Sequence, residues 1–315
     1  MSISRKYVGL LVVAISTAIG CAPTGDEFVP GDQLDVPLDP AASGTFYEPP
    51  TGRNGLIPEQ FWSTVAQSSM RELQNDPLES GLTVTMTNGE IVPVMKTPPN
   101  TAALLHTYPD VVKHLVQCTL TAGRPLFDPV NEVVYRGHWG LANSWATSPI
   151  SGNPALQEWV TACMIARLNN LGVHVNILLE GSKPAIEVNS TWNPVFWYNE
   201  STVRGNMFAS TRPISPNSPA FDAYLCREQN LVNTCPGDGG ADWVDRRLCD
   251  NAPSTCGLID MGKCTRSLAA GGRCIPNATN PEHWDCRETI LGSFYTTTIG
   301  VQLEVPLDPG ECTRQ

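Results

Sequence analysis

The stretch "NPALQEWVTACMIARLNNLG" at residues 153–172 decides how this chain folds, because it carries the strongest helix signal in the sequence. Asn153 is a good N-cap, Pro154 suits the first helical turn, and Gly172 suits a left-handed exit. The following apolar residues recur at helical spacing on one face: Leu156, Trp159, Val160, Cys163 and Ala166. The sequence therefore predicts an amphipathic helix that lies on a hydrophobic core, with Cys163 directed inward.

A second helix is predicted from "YPDVVKHLVQCTL" at residues 108–120, where a proline again occupies the first turn. Val111, Leu115 and Cys118 recur at helical spacing, so Cys118 also faces the core. We expect Cys118 and Cys163 to form a disulfide, separate from the other cysteines of the chain. In the chain-entropy model a bridge that closes this loop contributes at most about 4 kcal/mol to stability.

The segments around these helices alternate between helix and strand patterns. "GLIPEQFWSTVAQSSMREL" at 55–73 predicts a helix after Pro58, and "VHVNILLEG" at 173–181 alternates as a strand does. "LTVTMTNGEIVPV" at 82–94 contains Asn88-Gly89, a strong hairpin signal. We therefore predict an α+β fold, with helices and antiparallel strands mixed in one domain over residues 56–215.

Residues 216–315 have a different character, since eight cysteines stand among many Gly, Asn, Asp and Pro residues. This composition predicts a loop-rich region in which disulfides replace part of a hydrophobic core. The sequence leaves the pairing of these cysteines open. They are Cys226, Cys235, Cys249, Cys256, Cys264, Cys274, Cys286 and Cys312.

The N-terminus predicts export. Arg5 and Lys6 precede an apolar run that is short for a membrane-spanning helix and typical of a secretory signal. Ala18-Ile19-Gly20-Cys21 resembles a lipobox, so we expect residues 1–20 to be a lipoprotein signal peptide and Cys21 to be lipidated. The chain has 11 cysteines, and lipidation of Cys21 leaves an even number for disulfides.

Residues 21–55 are rich in proline and acidic residues, which predicts an extended, solvated tether. Within it, "QLDVPLDP" at 33–40 recurs almost unchanged as "QLEVPLDP" at 302–309. Because proline does not fit a central strand, these copies predict two similar extended segments. The alternative is a matched pair that docks on one surface. The formal net charge of −11 opposes binding to nucleic acid, and we expect the lipid on Cys21 to be the only membrane contact.

The common catalytic and cofactor signatures are absent from the sequence. It contains no G-x-S-x-G, H-E-x-x-H, C-x-x-C or phosphate-binding glycine loop, and the cysteine spacing does not fit a structural zinc site. We therefore expect no cofactor. His138 in "RGHWGLANSW" at 136–145 is the best catalytic candidate, because flanking glycines suggest an exposed loop and Asn143 and Ser144 follow closely.

Two further segments are candidates for binding. "CPGDGGADWVD" places Asp238, Asp242 and Asp245 close together, and such carboxylates are calcium ligands in flexible loops, although the spacing is not that of an EF-hand. "TWNPVFWYNE" at 191–200 has the densest aromatic patch of the chain. Exposed aromatics bind sugars or partner proteins, whereas buried ones form a core. The patch comprises Trp192, Phe196, Trp197 and Tyr198.

Several segments resemble a group of cysteine-rich lipoproteins from myxobacteria. These segments are "LVQCTLTAG" at 115–123, "GHWGLANSW" at 137–145, "WVTACMIARLNNLGVHV" at 159–175, "ESTVRGNMF" at 200–208 and the cysteine-rich C-terminal end. The resemblance implies export, lipidation and disulfides, and it implies no activity. By analogy, Ala22 after the anchor favours the outer membrane.

These patterns together predict a lipid-anchored protein of the bacterial envelope, at the outer membrane or cell surface. We expect a non-catalytic binding or structural module with protein or glycan partners. The alternative is a secreted hydrolase that acts on extracellular polymers through a site near His138.

Overall fold

The computed structural model describes residues 51–53, 55–170, 176–187, 198–209, 221, 223–228, 247–248, 258–264, 274–277, 284–287 and 294–303. All of them belong to one unit, Tyr47–Gln315. Cys21 and the predicted signal peptide lie outside the described residues. The described elements comprise helices, a mixed six-stranded sheet, a mixed four-stranded sheet and a two-stranded hairpin, so the predicted α+β class is confirmed.

The helices pack on one another in chain order. Helix α2 contacts α3, α3 contacts α4, and α4 contacts α5. Their bounds are α1 Pro58–Phe61, α2 Thr64–Leu73, α3 Pro99–Thr107, α4 Pro109–Thr119 and α5 Pro154–Ala166, with a short 3-10 helix at Asn143–Ala146. Among the described helices, none combines the length and the apolar character that crossing a membrane requires.

Helix α5 begins as the sequence predicts and ends earlier. The Asn153 side chain accepts a hydrogen bond from the backbone N–H of Leu156 at 3.2 Å, and Pro154 is the first residue. The helix stops at Ala166 because the next backbone groups have tertiary partners. Gly55 and Leu56 both donate to the Arg167 carbonyl, at 3.0 and 3.1 Å. These contacts, rather than Gly172, end the helix.

The six-stranded sheet gathers strands from distant parts of the chain, in the order β1-β6-β12-β7-β8-β9. Helix α5 lies against β7 and β12, where Val203 and Val301 are buried in the main core. The bounds are β1 Thr51–Arg53, β6 Asn176–Glu180, β7 Tyr198–Gly205, β8 Ala223–Arg227, β9 Leu258–Lys263 and β12 Ile299–Leu303.

This sheet joins regions that the sequence separates. Strand β1 pairs with β6, although Thr51–Arg53 falls in the predicted tether. Strands β8, β9 and β12 come from the predicted cysteine-rich region. Strands β8 and β12 pair with strands of the predicted α+β domain, and β9 pairs with β8 at the edge of the sheet. Residues 56–215 and 216–315 therefore share one sheet, because the C-terminal strand β12 inserts between β6 and β7.

The C-terminal copy of the repeated motif begins inside this sheet. Gln302 and Leu303 are the last residues of β12, paired with β6 on one side and β7 on the other. The sequence predicted an extended segment that avoids a central strand. Strand β12 can be central because it ends at Leu303, before Pro306. Each of its residues therefore has a backbone N–H to donate to the sheet.

The second sheet has the order β2-β3-β4-β5. Its hairpin of β2 and β3 contains the predicted Asn88-Gly89 turn, where Gly89 has φ +85°. Strands β2 to β5 span Glu79–Thr85, Ile91–Met95, Pro125–Asp128 and Val133–Arg136, and the hairpin strands β10 and β11 span Cys274–Pro276 and Trp284–Cys286.

Three disulfides lie in the described part of the chain. Cys118 of α4 and Cys163 of α5 form the pair that the helix faces predict. The other two bridges, Cys226–Cys264 and Cys274–Cys286, belong to the C-terminal set whose pairing the sequence left open. Cys235, Cys249, Cys256 and Cys312 lie outside the described residues. The protein is thus disulfide-rich, as predicted.

Candidate functional site

The segment around His138 is the best catalytic candidate of the sequence, and the structure places it at the C-terminal end of α4. A helix leaves its last four carbonyl groups without partners inside the helix, and these groups need donors from elsewhere. In α4 the first of them, on Val116, accepts from Leu120 at 2.9 Å. The other three are on Gln117, Cys118 and Thr119.

The segment 138–142 supplies the missing donors. The backbone N–H groups of His138 and Trp139 both donate to the Gln117 carbonyl, at 3.1 and 2.9 Å. Leu141 donates to Cys118 at 3.0 Å and Ala142 donates to Thr119 at 3.1 Å, while Gly140 donates to Leu120 at 2.9 Å. Each of these N–H groups is engaged within the protein, so none of them is directed at a substrate as an oxyanion donor.

Gly137 and Gly140 allow this segment to pack closely against Leu120 and Thr121 at the end of α4. A Cβ at Gly137 would lie 2.5 Å from the Leu120 carbonyl oxygen and even closer to that of Thr121. Gly140 has φ +70°, and its Cβ would lie 2.8 Å from the Thr121 side chain. The sequence suggested an exposed functional loop, whereas Gly137 is buried and its backbone packs against backbone.

Side chains tie the segment to α5 as well. Trp139 is buried, and the Arg167 guanidinium lies 4.8 Å from the centroid of its ring. Arg167 also donates to the Gln117 side-chain oxygen, and burial lowers the pKa of Arg167 to about 9. The guanidinium stays charged at neutral pH and sits where the C-terminal ends of two helices meet, which favours a cation.

His138 and Ser144 are both exposed. The His138 ring makes an edge contact with Trp139 at 4.6 Å between centroids. The Asn143 side-chain oxygen accepts bonds from Thr121 N at 3.2 Å and from Arg124 Nη1 at 3.4 Å, which anchors the turn before β4. The motif therefore works as a helix cap, and the signal that points to this role is its glycine spacing after a helix.

Gly137→Ala should lower the free energy of unfolding by about 3 kcal/mol, because both clashing atoms are backbone oxygens that cannot rotate away. Urea unfolding measures this loss. Gly152→Ala is the matched control, since no atom lies within 4 Å of its Cβ position, and we expect a change within about 0.5 kcal/mol. Equal stability of Gly137→Ala and the natural chain would contradict the cap.

The most deeply buried ion pair of the described part forms a second site. Arg247 and Glu200 are an ion pair at 2.6 Å, and their side chains are 1% and 0% exposed. The other guanidinium nitrogen of Arg247 donates to the carbonyls of Ala166 and Leu168, at 3.1 and 2.5 Å. Arg247 thus caps α5 and neutralises Glu200 with one side chain.

A bulge in the sheet turns Glu200 toward this site. The register between β7 and β12 shifts so that Val301 faces Ser201 while Gln302 faces Asn199, which leaves Glu200 as the extra residue. The Ser201 hydroxyl donates to Glu200 at 3.2 Å. Burial raises the pKa of Glu200, and the Arg247 charge opposes this shift. Sequence reasoning missed both residues, because 47 positions separate them and neither belongs to a motif.

Comparison with protein-family models, curated proteins and solved structures finds no match to this chain. Its function is therefore argued from its own residues.

Four cysteines form a third cluster, together with a buried carboxylate. The sulfur atoms of Cys226, Cys274 and Cys286 lie within 4.8 Å of one another. A Glu228 oxygen and the sulfurs of Cys226 and Cys264 also lie within 4.8 Å of one another. The Glu228 carboxylate accepts a bond from Thr202 Oγ1 at 2.8 Å. Metal binding needs thiolates, and these sulfurs are bonded to one another as two disulfides. In this oxidised form the four cysteines cross-link the chain and are not available as metal ligands.

The remaining predicted site residues fall largely outside the described residues. This holds for Trp192, Phe196 and Trp197 of the aromatic patch, while Tyr198 is the first residue of β7 and pairs with Leu303. The calcium candidates also lie outside, namely Asp238, Asp242 and Asp245. The structure therefore leaves the predictions for these segments as they stand.

Proposed function

We propose that this chain is a lipid-anchored protein of the bacterial cell envelope that serves as a non-catalytic binding or structural module. Cys21 carries the lipid, residues 22–50 hold the folded part away from the membrane, and the partners are proteins or glycans. The outer membrane or the cell surface is the location that Ala22 after the anchor favours. The aromatic segment 192–198 is the contact surface in this proposal.

The observation that carries the proposal is the state of the cysteines. Each of the six cysteines that the structure describes lies in a disulfide. Disulfides persist in oxidising compartments, so this state agrees with the export signal that precedes Cys21. The odd total of 11 cysteines is accounted for when Cys21 is lipidated and the others pair.

The non-catalytic part of the proposal rests on the segment around His138. Its backbone donors cap α4, and Gly137 and Gly140 allow close packing. A hydrolase site needs a nucleophile, a base within hydrogen-bond reach and oxyanion donors. The donors of this segment are already used, which favours a structural role over the alternative of an extracellular hydrolase. Loss of polymer hydrolysis in His138→Ala would reverse this conclusion.

The intact mass of the membrane-extracted protein tests the anchor. We expect the loss of residues 1–20, acyl mass on Cys21, no alkylation before reduction and ten alkylated cysteines after it, since 11 cysteines less Cys21 leave ten. Cys21→Ser is the control, and it should lack the acyl mass and leave the membrane fraction, because a single residue carries the hydrophobic anchor. A natural chain without acyl mass, or with thiols that react before reduction, would contradict the proposal.

A further inference from the structure

The two C-terminal bridges touch each other. Cys226–Cys264 links β8 to the residue that follows β9, and Cys274–Cys286 links β10 to β11. The Cys226 and Cys286 sulfurs are 4.0 Å apart, although they belong to different bridges. All four cysteines are at most 3% exposed, so the contact is shielded from solvent.

This contact places a sulfur of each bridge beside a sulfur of the other. Neither sulfur carries a hydrogen in the oxidised form, so the contact between them is not a hydrogen bond. Exchange proceeds when a thiolate attacks one sulfur of a disulfide and expels the other. If either bridge opens, a new thiol lies beside a sulfur of the intact bridge.

The backbone holds the two sulfurs in this position. Cys226 lies in β8, where it pairs with Thr202 of the neighbouring strand. Cys286 pairs with Cys274 across the hairpin and forms a backbone bridge to Tyr295. The Thr298 hydroxyl donates to the Trp284 carbonyl, which fixes the same hairpin to the chain before β12. The proximity therefore comes from paired strands.

We propose that Cys226–Cys264 and Cys274–Cys286 form one thiol–disulfide exchange site, in which reduction by an external dithiol leaves a Cys226–Cys286 bridge. The dithiol first reduces Cys274–Cys286 and is itself oxidised to a disulfide. The Cys286 thiolate then attacks the Cys226 sulfur, the Cys226–Cys264 bond breaks, and its electron pair leaves on Cys264. The two protons of the dithiol end on Cys264 and Cys274, and one disulfide has been consumed.

The product does not depend on which bridge opens first. If the dithiol reduces Cys226–Cys264 instead, the Cys226 thiolate attacks Cys286 and expels Cys274. Both routes join the two inner sulfurs and release the two outer ones. The site is thus a redox-responsive element of the fold, and it stands independently of the proposed lipid anchor.

The test is limited reduction of the folded, full chain with one molar equivalent of dithiothreitol, followed by alkylation in denaturant and peptide mapping. We expect alkylated Cys264 and Cys274, linked peptides that contain Cys226 and Cys286, and an intact Cys118–Cys163 bridge. Recovery of alkylated Cys274 and Cys286 with Cys226–Cys264 retained would overturn the proposal. So would alkylated Cys226 and Cys264 with Cys274–Cys286 retained.

A double variant gives a second test without any reductant. Cys264→Ser/Cys274→Ser leaves only the two inner sulfurs of the site, and we expect them to pair. Alkylation in denaturant, before any reduction, should therefore find no thiol at either position. The matched control Cys226→Ser/Cys286→Ser leaves the two outer cysteines, and we expect both to be alkylated. Two reactive thiols at Cys226 and Cys286 in the folded variant would contradict the exchange geometry. If the variant does not fold, the peptide map of the natural chain decides.

Discussion

Arg247→Met should lower the free energy of unfolding by about 3 to 5 kcal/mol at neutral pH, the usual loss when one partner of a buried ion pair is removed. Glu200 would keep a buried charge without its counter-ion, and the carbonyls of Ala166 and Leu168 would lose a donor. Urea unfolding of the two proteins measures this difference.

The pH dependence of this loss identifies its cause. Burial raises the pKa of Glu200 and Arg247 opposes the shift, so the pKa rises further in the variant. Below the ordinary carboxyl pKa, Glu200 is protonated in both the folded and the unfolded state, and the charge costs nothing. As the pH rises, Glu200 ionises first in the unfolded state, because its pKa is lower there, and this ionisation stabilises the unfolded state relative to the folded one. We therefore expect a smaller loss at about pH 4 than at about pH 7.

The matched control is an exposed pair of the same type. Arg136 and Glu90 form an ion pair at 2.8 Å in which the arginine side chain is 51% exposed. Arg136→Met should have a much smaller effect on the free energy of unfolding, because water screens this pair. In the Arg247→Met background, Glu200→Gln should recover part of the loss. An Arg247→Met variant that unfolds like the control, at both pH values, would show that the buried pair does not stabilise the fold.

The double variant Cys118→Ala/Cys163→Ala should lose about 4 kcal/mol of unfolding free energy. The bridge spans 45 residues, and the chain-entropy model assigns that loop about 4 kcal/mol through restriction of the unfolded chain. Both cysteines are fully buried between α4 and α5, so the alanines also leave unfilled space in the core. Denaturant unfolding under non-reducing conditions measures the loss.

The comparison that tests this account is a shorter loop in the same chain. Cys274–Cys286 spans 12 residues, for which the same model gives about 3 kcal/mol. Cys274→Ala/Cys286→Ala should therefore cost about 1 kcal/mol less than the helix pair. A loss below about 1 kcal/mol for Cys118→Ala/Cys163→Ala would show that the helices hold each other without the bridge.

The sequence predicted the start of α5 correctly and its end incorrectly, because only the start depends on neighbouring residues. Asn153 and Pro154 placed the start of α5, because a cap bonds within its own first turn. The predicted end of α5, at Gly172, was wrong. The Arg167 carbonyl accepts hydrogen bonds from Gly55 and Leu56, more than a hundred positions away along the chain, and the helix ends before it. No local pattern encodes that contact.

The two kinds of disulfide show the same division. Helix periodicity predicted the Cys118–Cys163 disulfide, because each helix directs one face toward the core and each of these faces carries one cysteine. Cys274 and Cys286 face each other only through the register of β10 and β11. The register of a sheet depends on which strands pair. Composition therefore indicated that disulfides exist in this region, and it did not indicate which cysteines form them.

The sequence by itself determined the fold class, the start of α5 and the helix disulfide, and it predicts the export signal from which we propose the lipid anchor. Each of these follows from spacing or composition within a short segment. Only the tertiary structure decided that the "GHWG" segment caps α4, that Arg247 neutralises Glu200, and that Cys226 touches Cys286. The physical reason is that each of these contacts joins residues far apart in the chain, as when β12 inserts between β6 and β7. A short sequence pattern does not encode which distant segments will meet.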